Sequence, residues 1–126
     1  YKWGGRSAAG LDCSALVQLS LAASQYSLPR DTGLQLQLLE KQAQISGTRY
    51  DFPDDFRTVD FGRGDLIYWE GHGAICLDAK DIIHANAFHH CVIVEPHETA
   101  VSRIADSFGP PIAHIRKNVI KQILSA

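Results

Sequence analysis

Long apolar runs and a clear excess of one charge are both missing from this sequence. No apolar stretch approaches the roughly 18 residues that a membrane-spanning helix needs, and no signal-peptide pattern is present. Lysine and arginine total 12 against 14 aspartate and glutamate residues, a formal net charge of −2. The sequence therefore predicts no membrane span, and its charge gives no indication of a nucleic acid or an anionic membrane as partner.

Methionine is also absent, and the chain opens on Tyr1. Because translation starts with methionine, we interpret the chain as a processed protein or as the C-terminal part of a longer one. Its 126 residues fit one compact domain, and 45% apolar with 21% charged residues is a globular composition. Residues 1–126 are therefore interpreted as a single domain.

Cysteine is scarce, with three residues and no C-x-x-C pair. An odd number at irregular spacing is a poor disulfide framework and a poor zinc signature, so at least one thiol is expected to be free. Cys76 and Cys91 lie inside apolar runs, where we expect them to be small buried hydrophobic residues. Cys13 is different, because it follows an aspartate where a loop gives way to a helical pattern.

The hydrophobic pattern changes from helical to strand-like along the chain. The predicted elements, in chain order, are a loop at 1–12, helices at 13–26 and 31–44, a loop at 47–56, strands at 64–69, 71–78, 81–87 and 90–95, a helix at 96–108, and a turn with a last strand within 109–118. Asp31 is a candidate N-cap of the second helix. Helices followed by closely spaced strands indicate an α+β domain with an antiparallel sheet.

Cys13 is predicted to occupy the first position of a helix that Asp12 caps. Unpaired N–H groups and the helix dipole favour an anion there, and thiols in such places have pKa values of roughly 3.5–7.5. The negative charge of Asp12 opposes this effect. From the local sequence alone, Cys13 can be a structural thiol, a metal ligand or a nucleophile.

Two histidines supply what a nucleophilic thiol would need. His72 stands between glycines at the start of one predicted strand, and His84 lies on the next. In a tight antiparallel hairpin their side chains can share one face, which would assemble nucleophile, base and orienting group. A zinc site from Cys13, His72 and His84 is chemically allowed but lacks closely spaced ligand pairs. The remaining histidines are interpreted as solvated or structural: His89, His90, His97 and His114.

Three stretches carry a resemblance to a known family. They are "Y-x-W-G-G-R-S-x-x-G-x-D-C-S" from Tyr1, "G-D-L-I-Y-W-x-G-H" from Gly64, and "H-A-N-A" from His84. Together they resemble the NlpC-like, papain-like cell-wall cysteine peptidases, over a region from Tyr1 to about Arg116. The resemblance implies one catalytic domain with a papain-like α+β fold. In this fold N-terminal helices, the first carrying the cysteine, pack on an antiparallel sheet of about five to six strands that carries the histidine.

The resemblance also implies the reaction and its residues. Cys13 would be the nucleophile, His72 the general base, and His84 the group that orients the imidazole of His72. Tyr1 falls where the family has a tyrosine associated with the oxyanion site. The expected reaction is hydrolysis of peptidoglycan stem peptides through a thioester, at the bond between γ-D-glutamate and a diamino acid such as meso-diaminopimelate, with no metal or organic cofactor.

Two further positions match substrate-binding residues of the family. In members that recycle wall peptides, the residues at Asp12 and Ser14 help recognise the N-terminal side of the substrate, including a free α-amine. The sequence departs from the family at Ala15 and Gly73, where glycine and valine are usual. We expect Ala15 to tighten the packing near the site and Gly73 to loosen the backbone of the base.

Two alternatives stay open at this point. A related amidase, which cuts another cell-wall amide bond, would share the nucleophile and the base. A catalytically silent wall-binding module would not need to keep Cys13, His72 and His84 together. The order of cysteine before histidine favours the unpermuted peptidases over permuted relatives. Both the bacterial cytoplasm, in peptide recycling, and the cell envelope are consistent with this sequence.

Overall fold

The described part of the chain is built around a five-stranded antiparallel sheet with helices on both faces. The computed structural model describes residues 1–7, 10–46, 61–86, 88 and 90–124. In chain order the elements are β1 (Arg6–Ser7), β2 (Gly10–Leu11), α1 (Cys13–Ala22), α2 (Thr32–Ser46), β3 (Leu66–Trp69), β4 (His72–Cys76), β5 (Asp81–Asn86), β6 (Cys91–Pro96), α3 (His97–Phe108), β7 (Ala113–Ile115) and α4 (Lys117–Leu124). None of the described helices is both long and apolar enough to cross a membrane.

The sheet has the strand order β6-β5-β4-β3-β7, and each neighbouring pair is antiparallel. β3 and β4 form a hairpin in which Trp69 pairs with His72, so that only Glu70 and Gly71 make the turn. Gly71 has φ +82, a left-handed conformation that favours glycine. This turn fixes His72 as the first residue of its strand, at one end of the sheet.

Each face of the sheet has its own hydrophobic core. Because side chains alternate along a strand, Leu66 and Tyr68 point to one face of β3 and Ile67 and Trp69 to the other. The first core includes Val17 of α1, Leu36 and Leu39 of α2 and Ile120 of α4. The second core includes Ala100, Val101 and Ile104 of α3. The helix that carries Cys13 therefore packs on the face opposite to α3.

Most predicted elements are confirmed. The α+β architecture, the antiparallel strands and the start of α1 at Cys13 are as expected. α1 ends at Ala22 rather than near Tyr26, because residues 23–25 form a turn in which Gln25 takes φ +68. The loop predicted at 47–56 lies outside the described residues.

Two expectations about local structure are corrected, and one further helix is added. Residues 1–12 contain the β1–β2 hairpin instead of being loop throughout. Cys91 is exposed on β6, an edge strand of the sheet, and is not a buried hydrophobic residue. α4 was not predicted, because its cap is not local: the Lys117 N–H donates to Asp65 Oδ1 at 2.9 Å from 52 residues away.

Candidate active site

Cys13 is the first residue of α1 and is partly exposed. The Asp12 carboxylate caps the helix by accepting from the Ala15 N–H at 2.9 Å. The Cys13 Sγ lies 3.7 Å from Thr32 Oγ1 and 3.9 Å from the carbonyl oxygen of Gly71, in the β3–β4 turn. The cysteine is therefore held at the N-terminal end of a helix dipole and directly above the turn that leads into His72.

The negative charge of Asp12 would oppose a thiolate at Cys13, but the positive charge of Arg30 balances it. Both carboxylate oxygens accept from Arg30, with Nη1–Oδ1 and Nη2–Oδ2 distances of 2.9 Å. Burial alone would raise the pKa of Asp12, but the hydrogen bonds from Arg30 and Ala15 lower it, so the carboxylate is ionised. Arg30 therefore offsets an anion beside Cys13 while the helix cap is kept.

His72 and His84 form a direct hydrogen bond, and they lie on one face of neighbouring strands as the sequence predicted. The distance from His72 Nε2 to His84 Nδ1 is 2.7 Å, and both side chains are buried. The β4–β5 register pairs Cys76 with Ile82, so residues 72 and 84 lie on the same face of the sheet. The direct contact between the two nitrogen atoms leaves no space for a metal ion between them.

The hydrogen-bonded series continues beyond His84 to residues that the sequence did not reveal. His84 Nε2 lies 2.7 Å from Oε2 of Glu95, on β6. Arg103, on α3, donates to both oxygens of Glu95, at 2.6 Å and 2.8 Å. The four residues form a continuous series from β4 through β5 and β6 to α3, and we call it the His72–Arg103 relay.

The relay sets which ring nitrogens carry protons. An ionised carboxylate only accepts hydrogen bonds, so the neutral form of His84 donates to Glu95 from Nε2–H and accepts through Nδ1. His72 must then donate from Nε2–H, which leaves its Nδ1 unprotonated. The protonation state of His72 Nδ1 is therefore set by a carboxylate two residues further along the relay.

Burial and charge keep His72 neutral and Glu95 ionised. Burial, with smaller contributions from the charges of His84 and Arg103, lowers the pKa of His72 to about 3. Although burial alone would raise the pKa of Glu95, hydrogen bonds from Arg103 and His84 lower it to about 2. The rings of Trp69 and Phe108 lie 5.5 Å and 6.2 Å from the imidazole centroid of His72 and flank it.

Two cavities meet at Cys13. The first, of about 600 Å³, has a mainly apolar and aromatic wall that includes Tyr1, Trp3, His72, Phe88 and Phe108. The second, of about 460 Å³, is lined by several residues with polar or charged side chains, which are Asp12, Ser14, Arg30, Asp31 and Thr32, and also by Trp3. We call them the aromatic cavity and the polar cavity. A substrate lying across Cys13 would occupy both of them.

Tyr1 lines the aromatic cavity beside Cys13. Burial and negative charge at Cys13 and Asp12 raise the pKa of its phenol, so the hydroxyl stays protonated. A protonated phenol is a hydrogen-bond donor, which is what an oxyanion site requires.

Gly73, next to His72, lies in a closely packed part of the sheet. It is buried in β4 opposite Tyr68, and a Cβ built on it would lie 3.2 Å and 3.3 Å from two carbons of the Tyr68 ring. The Tyr68 hydroxyl donates to Gln35 Oε1 at 2.9 Å, and Gln35 Nε2 donates to the carbonyl oxygen of Ser14 at 3.0 Å. The ring that occupies the space beside Gly73 therefore also supports the start of α1.

The other described histidines fit structural or solvated roles. His97 and His114 are buried, and Phe61 contacts both rings. His114 Nε2 lies 2.7 Å from Asp65 Oδ2, and His90 is exposed. His89 lies outside the described residues. Across the described ranges, no three His, Cys, Asp or Glu side chains are grouped so that they could hold a metal ion.

Comparison with known proteins gives the family of the chain. A sequence profile of the NlpC/P60 family matches residues 1–105. The chain belongs to the NlpC/P60 family. This agrees with the cysteine-peptidase resemblance in the sequence, and the match covers Cys13, His72, His84, Glu95 and Arg103.

Solved NlpC/P60 structures share the fold at low sequence identity. An NlpC/P60 family protein from Bacillus cereus is 22% identical with a TM-score of 0.62, covering 94% of this chain and 35% of that chain. The peptidoglycan hydrolase RipB from Mycobacterium tuberculosis is 24% identical with a TM-score of 0.56, covering 86% and 46%. NlpC2 from Trichomonas vaginalis is 17% identical with a TM-score of 0.59, covering 92% and 40%.

A curated relative is similar over a shorter region. Dipeptidyl-peptidase 6 from Lysinibacillus sphaericus is 30% identical over 87 residues, which are 68% of this chain. The match spans 27% of that protein. This chain therefore matches about a quarter of the relative's length.

Proposed function

We propose that this chain is a cysteine endopeptidase of peptidoglycan stem peptides, with Cys13 as nucleophile, His72 as general base and His84 as orienting residue. The observation that carries the proposal is the 2.7 Å hydrogen bond between His72 and His84 at a cavity that Cys13 also lines. Membership of the NlpC/P60 family supports it, as does the similarity to a peptidoglycan hydrolase and a dipeptidyl-peptidase.

The first half of the reaction forms a thioester. His72 Nδ1 takes the proton of the Cys13 thiol, and the thiolate attacks the side-chain carbonyl carbon of the γ-glutamyl residue. The Cys13 N–H and the Tyr1 hydroxyl donate to the oxyanion that develops. The His72 imidazolium then protonates the leaving amine, the C–N bond breaks, and the diamino acid departs.

The second half returns the enzyme to its starting state. Water gives a proton to His72 Nδ1 as its oxygen attacks the thioester carbon. The C–S bond breaks, the glutamyl acid is released, and His72 returns the proton to the Cys13 thiolate. In both halves the positive charge on His72 is transient, and the ionised Glu95 stabilises it through His84.

The γ-D-glutamyl–diamino acid bond is the proposed target. The support for this bond is the resemblance of the D-C-S and G-D-L-I-Y-W-x-G-H stretches to the cell-wall peptidases. The polar cavity, which Asp12 and Ser14 line, would take the acyl side of the substrate. The aromatic cavity would then take the diamino acid side.

Product mass spectrometry on a defined stem peptide tests the proposal. Wild-type protein with L-Ala-γ-D-Glu-meso-diaminopimelate should release L-Ala-D-Glu and the free diamino acid. Cys13→Ala should abolish turnover with an unchanged circular dichroism spectrum. Cys91→Ala is the matched control, because this thiol is exposed on β6 and should be dispensable.

Other outcomes would redirect the assignment. Release of an intact stem peptide from a muropeptide would indicate an amidase. Binding to sacculi without any change in mass would indicate a silent wall-binding module. Full activity of Cys13→Ala would refute the assignment of the nucleophile.

A further inference from the structure

Arg103 uses only part of its guanidinium in the His72–Arg103 relay. It donates to both oxygens of Glu95, at 2.6 Å and 2.8 Å, and these two bonds use two of the five N–H groups that an arginine side chain offers. Arg103 also lines the aromatic cavity, and its side chain is 21% exposed. The N–H groups that Glu95 does not use can therefore donate to a ligand in this cavity.

The charges around the aromatic cavity favour an anionic ligand group. Arg103 is the one lysine, arginine, aspartate or glutamate among the described residues that line this cavity. Its partner Glu95 is buried and is not a lining residue. The ion pair is therefore a dipole whose positive end faces the cavity. Apolar walls keep the local dielectric constant low, so the attraction of this end for an anion is stronger than on an exposed surface.

The guanidinium of Arg103 is held in place without a ligand. Its two bonds to Glu95 fix the plane of the group, and its Cζ lies 5.0 Å from the ring centroid of Phe88. The Phe88 N–H donates to Asn86 Oδ1 at 2.7 Å, which anchors the backbone of Phe88 at the cavity wall. A planar guanidinium that is already ordered can bind a carboxylate with little further loss of side-chain entropy.

Arg103 is at the opposite end of the relay from the base. Three consecutive hydrogen bonds, through His84 and Glu95, separate it from His72. Diaminopimelate has two carboxylates, one on the carbon next to the leaving nitrogen and one at the far end of its chain. The first would lie beside Cys13 in the proposed reaction. The second, which we call the distal carboxylate, would extend along the aromatic wall toward Arg103.

We propose that Arg103 binds the distal carboxylate of the diamino acid and makes the aromatic cavity selective for a leaving group that ends in an anion. A leaving group with a carboxamide at this position, or with no carboxyl group there, leaves the N–H groups of Arg103 unpaired and is cleaved less efficiently. The inference rests on the proposed function for the direction in which the substrate lies, since it places the diamino acid in the aromatic cavity.

Two peptides that differ in one group test this inference. One is L-Ala-γ-D-Glu-meso-diaminopimelate, and the other is the same peptide with the distal carboxylate converted to a carboxamide. We expect kcat/KM of the wild-type protein to be about tenfold higher for the carboxylate peptide, because the amide loses a charge-assisted hydrogen bond to a fixed guanidinium. Any ratio above about fivefold supports the inference, and a smaller ratio overturns it, since an ion pair between exposed groups accounts for about fivefold at most.

Two variants separate the binding role of Arg103 from its role in the relay. Arg103→Met removes the guanidinium, so the ratio of kcat/KM for the two peptides should fall below about fivefold, whatever loss both peptides share. Glu95→Gln is the matched control, because it changes the relay while Arg103 keeps its charge. Both peptides should then lose kcat/KM, but their ratio should stay above about fivefold. A ratio that survives in Arg103→Met, or that is lost in Glu95→Gln, overturns the role given to Arg103.

Binding to Cys13→Ala separates this inference from the proposed function. Calorimetric titration of this variant with each peptide needs neither turnover nor a folded Arg103→Met protein. Tighter binding of the carboxylate peptide by more than about fivefold supports the inference, whereas a smaller difference, or binding of neither peptide, overturns it. If wild-type protein cleaves neither peptide, the proposed function fails while this binding ratio still decides the inference.

Discussion

Replacing Glu95 with glutamine should change the tautomer of His72 through His84, although Glu95 does not contact His72 directly. Arg103 donates to both oxygens of Glu95, so the single carbonyl oxygen of a glutamine must accept from Arg103. The new NH₂ group would then face His84 Nε2 and force that nitrogen to accept. His84 would carry its proton on Nδ1 and donate to His72 Nε2, which leaves the His72 proton on Nδ1. The nitrogen assigned to the Cys13 proton would no longer be a base.

The expected magnitude follows from the hydrogen bond that is lost. A hydrogen bond to a charged partner contributes a net 1.5–3 kcal/mol, approximately. At about 1.4 kcal/mol for each factor of ten, this is about a 10- to 150-fold loss of kcat/KM. The loss can be larger than this range, because in Ser-His-Asp triads the wrong histidine tautomer lowers kcat by about 10⁴-fold. We take that value as the upper limit of the expected loss. KM should change little, because Glu95 lies behind His84 and outside the lining of both cavities.

The assay is steady-state cleavage of a stem peptide across a pH series. Because Glu95 raises the pKa of His72, its neutralisation should also move the acid limb of kcat/KM to lower pH. A purely structural role would not move this limb. Glu98→Gln is the matched control, since Glu98 is an exposed carboxylate in the first turn of α3. If Glu95→Gln stays folded, retains kcat/KM within about twofold and keeps the acid limb, the relay argument is refuted.

Two further predictions concern stability. Unfolded histidine binds a proton below about pH 6.5, whereas burial lowers the pKa of His72 to about 3 and that of His97 to about 4. The unfolded state therefore holds more protons in this window, so the free energy of unfolding should fall as the pH drops from about 6.5 toward 4. Urea unfolding at a series of pH values measures this free energy. Its dependence on pH should be shallower in His97→Gln, and a free energy that does not change with pH would contradict the prediction. Gly73→Ala should lower stability by about 1–3 kcal/mol because its Cβ meets the Tyr68 ring. Gly33→Ala, with nothing within 4 Å of the new Cβ, should instead raise stability by about 0.5–1 kcal/mol, and equal effects in the two variants would count against the packing argument.

The parts of the site that depend on residues close together in the sequence could be predicted from the sequence. Asp12 as a helix cap fixed the start of α1, and the spacing of His72 and His84 on a hairpin gave their contact. Both inferences depend only on helix and strand periodicity, which a short stretch of sequence displays.

The parts that the sequence concealed depend on pairing between distant segments. Arg30 follows a proline in a connecting segment, and nothing near it indicates a partner at Asp12, 18 residues away. Glu95 ends an apolar run, and the one available signal was that its side chain shares the inward face of β6 with Ile93. Arg103 lies on an amphipathic helix, where a charged residue is expected on the solvent-facing side, so its sequence position does not indicate a partner.

The contact between Cys13 and Gly71 joins two segments that lie far apart in the sequence. Cys13 Sγ meets the β3–β4 turn across 58 residues of chain, and the relay behind that turn extends to Arg103. Contacts of such long range require closure of large loops, which costs entropy and slows folding. During synthesis Cys13 emerges first, and the His72–Arg103 relay cannot form until β4, β5, β6 and α3 have followed. The arrangement of Cys13 and the relay is therefore absent from the nascent chain and forms only when the domain is complete.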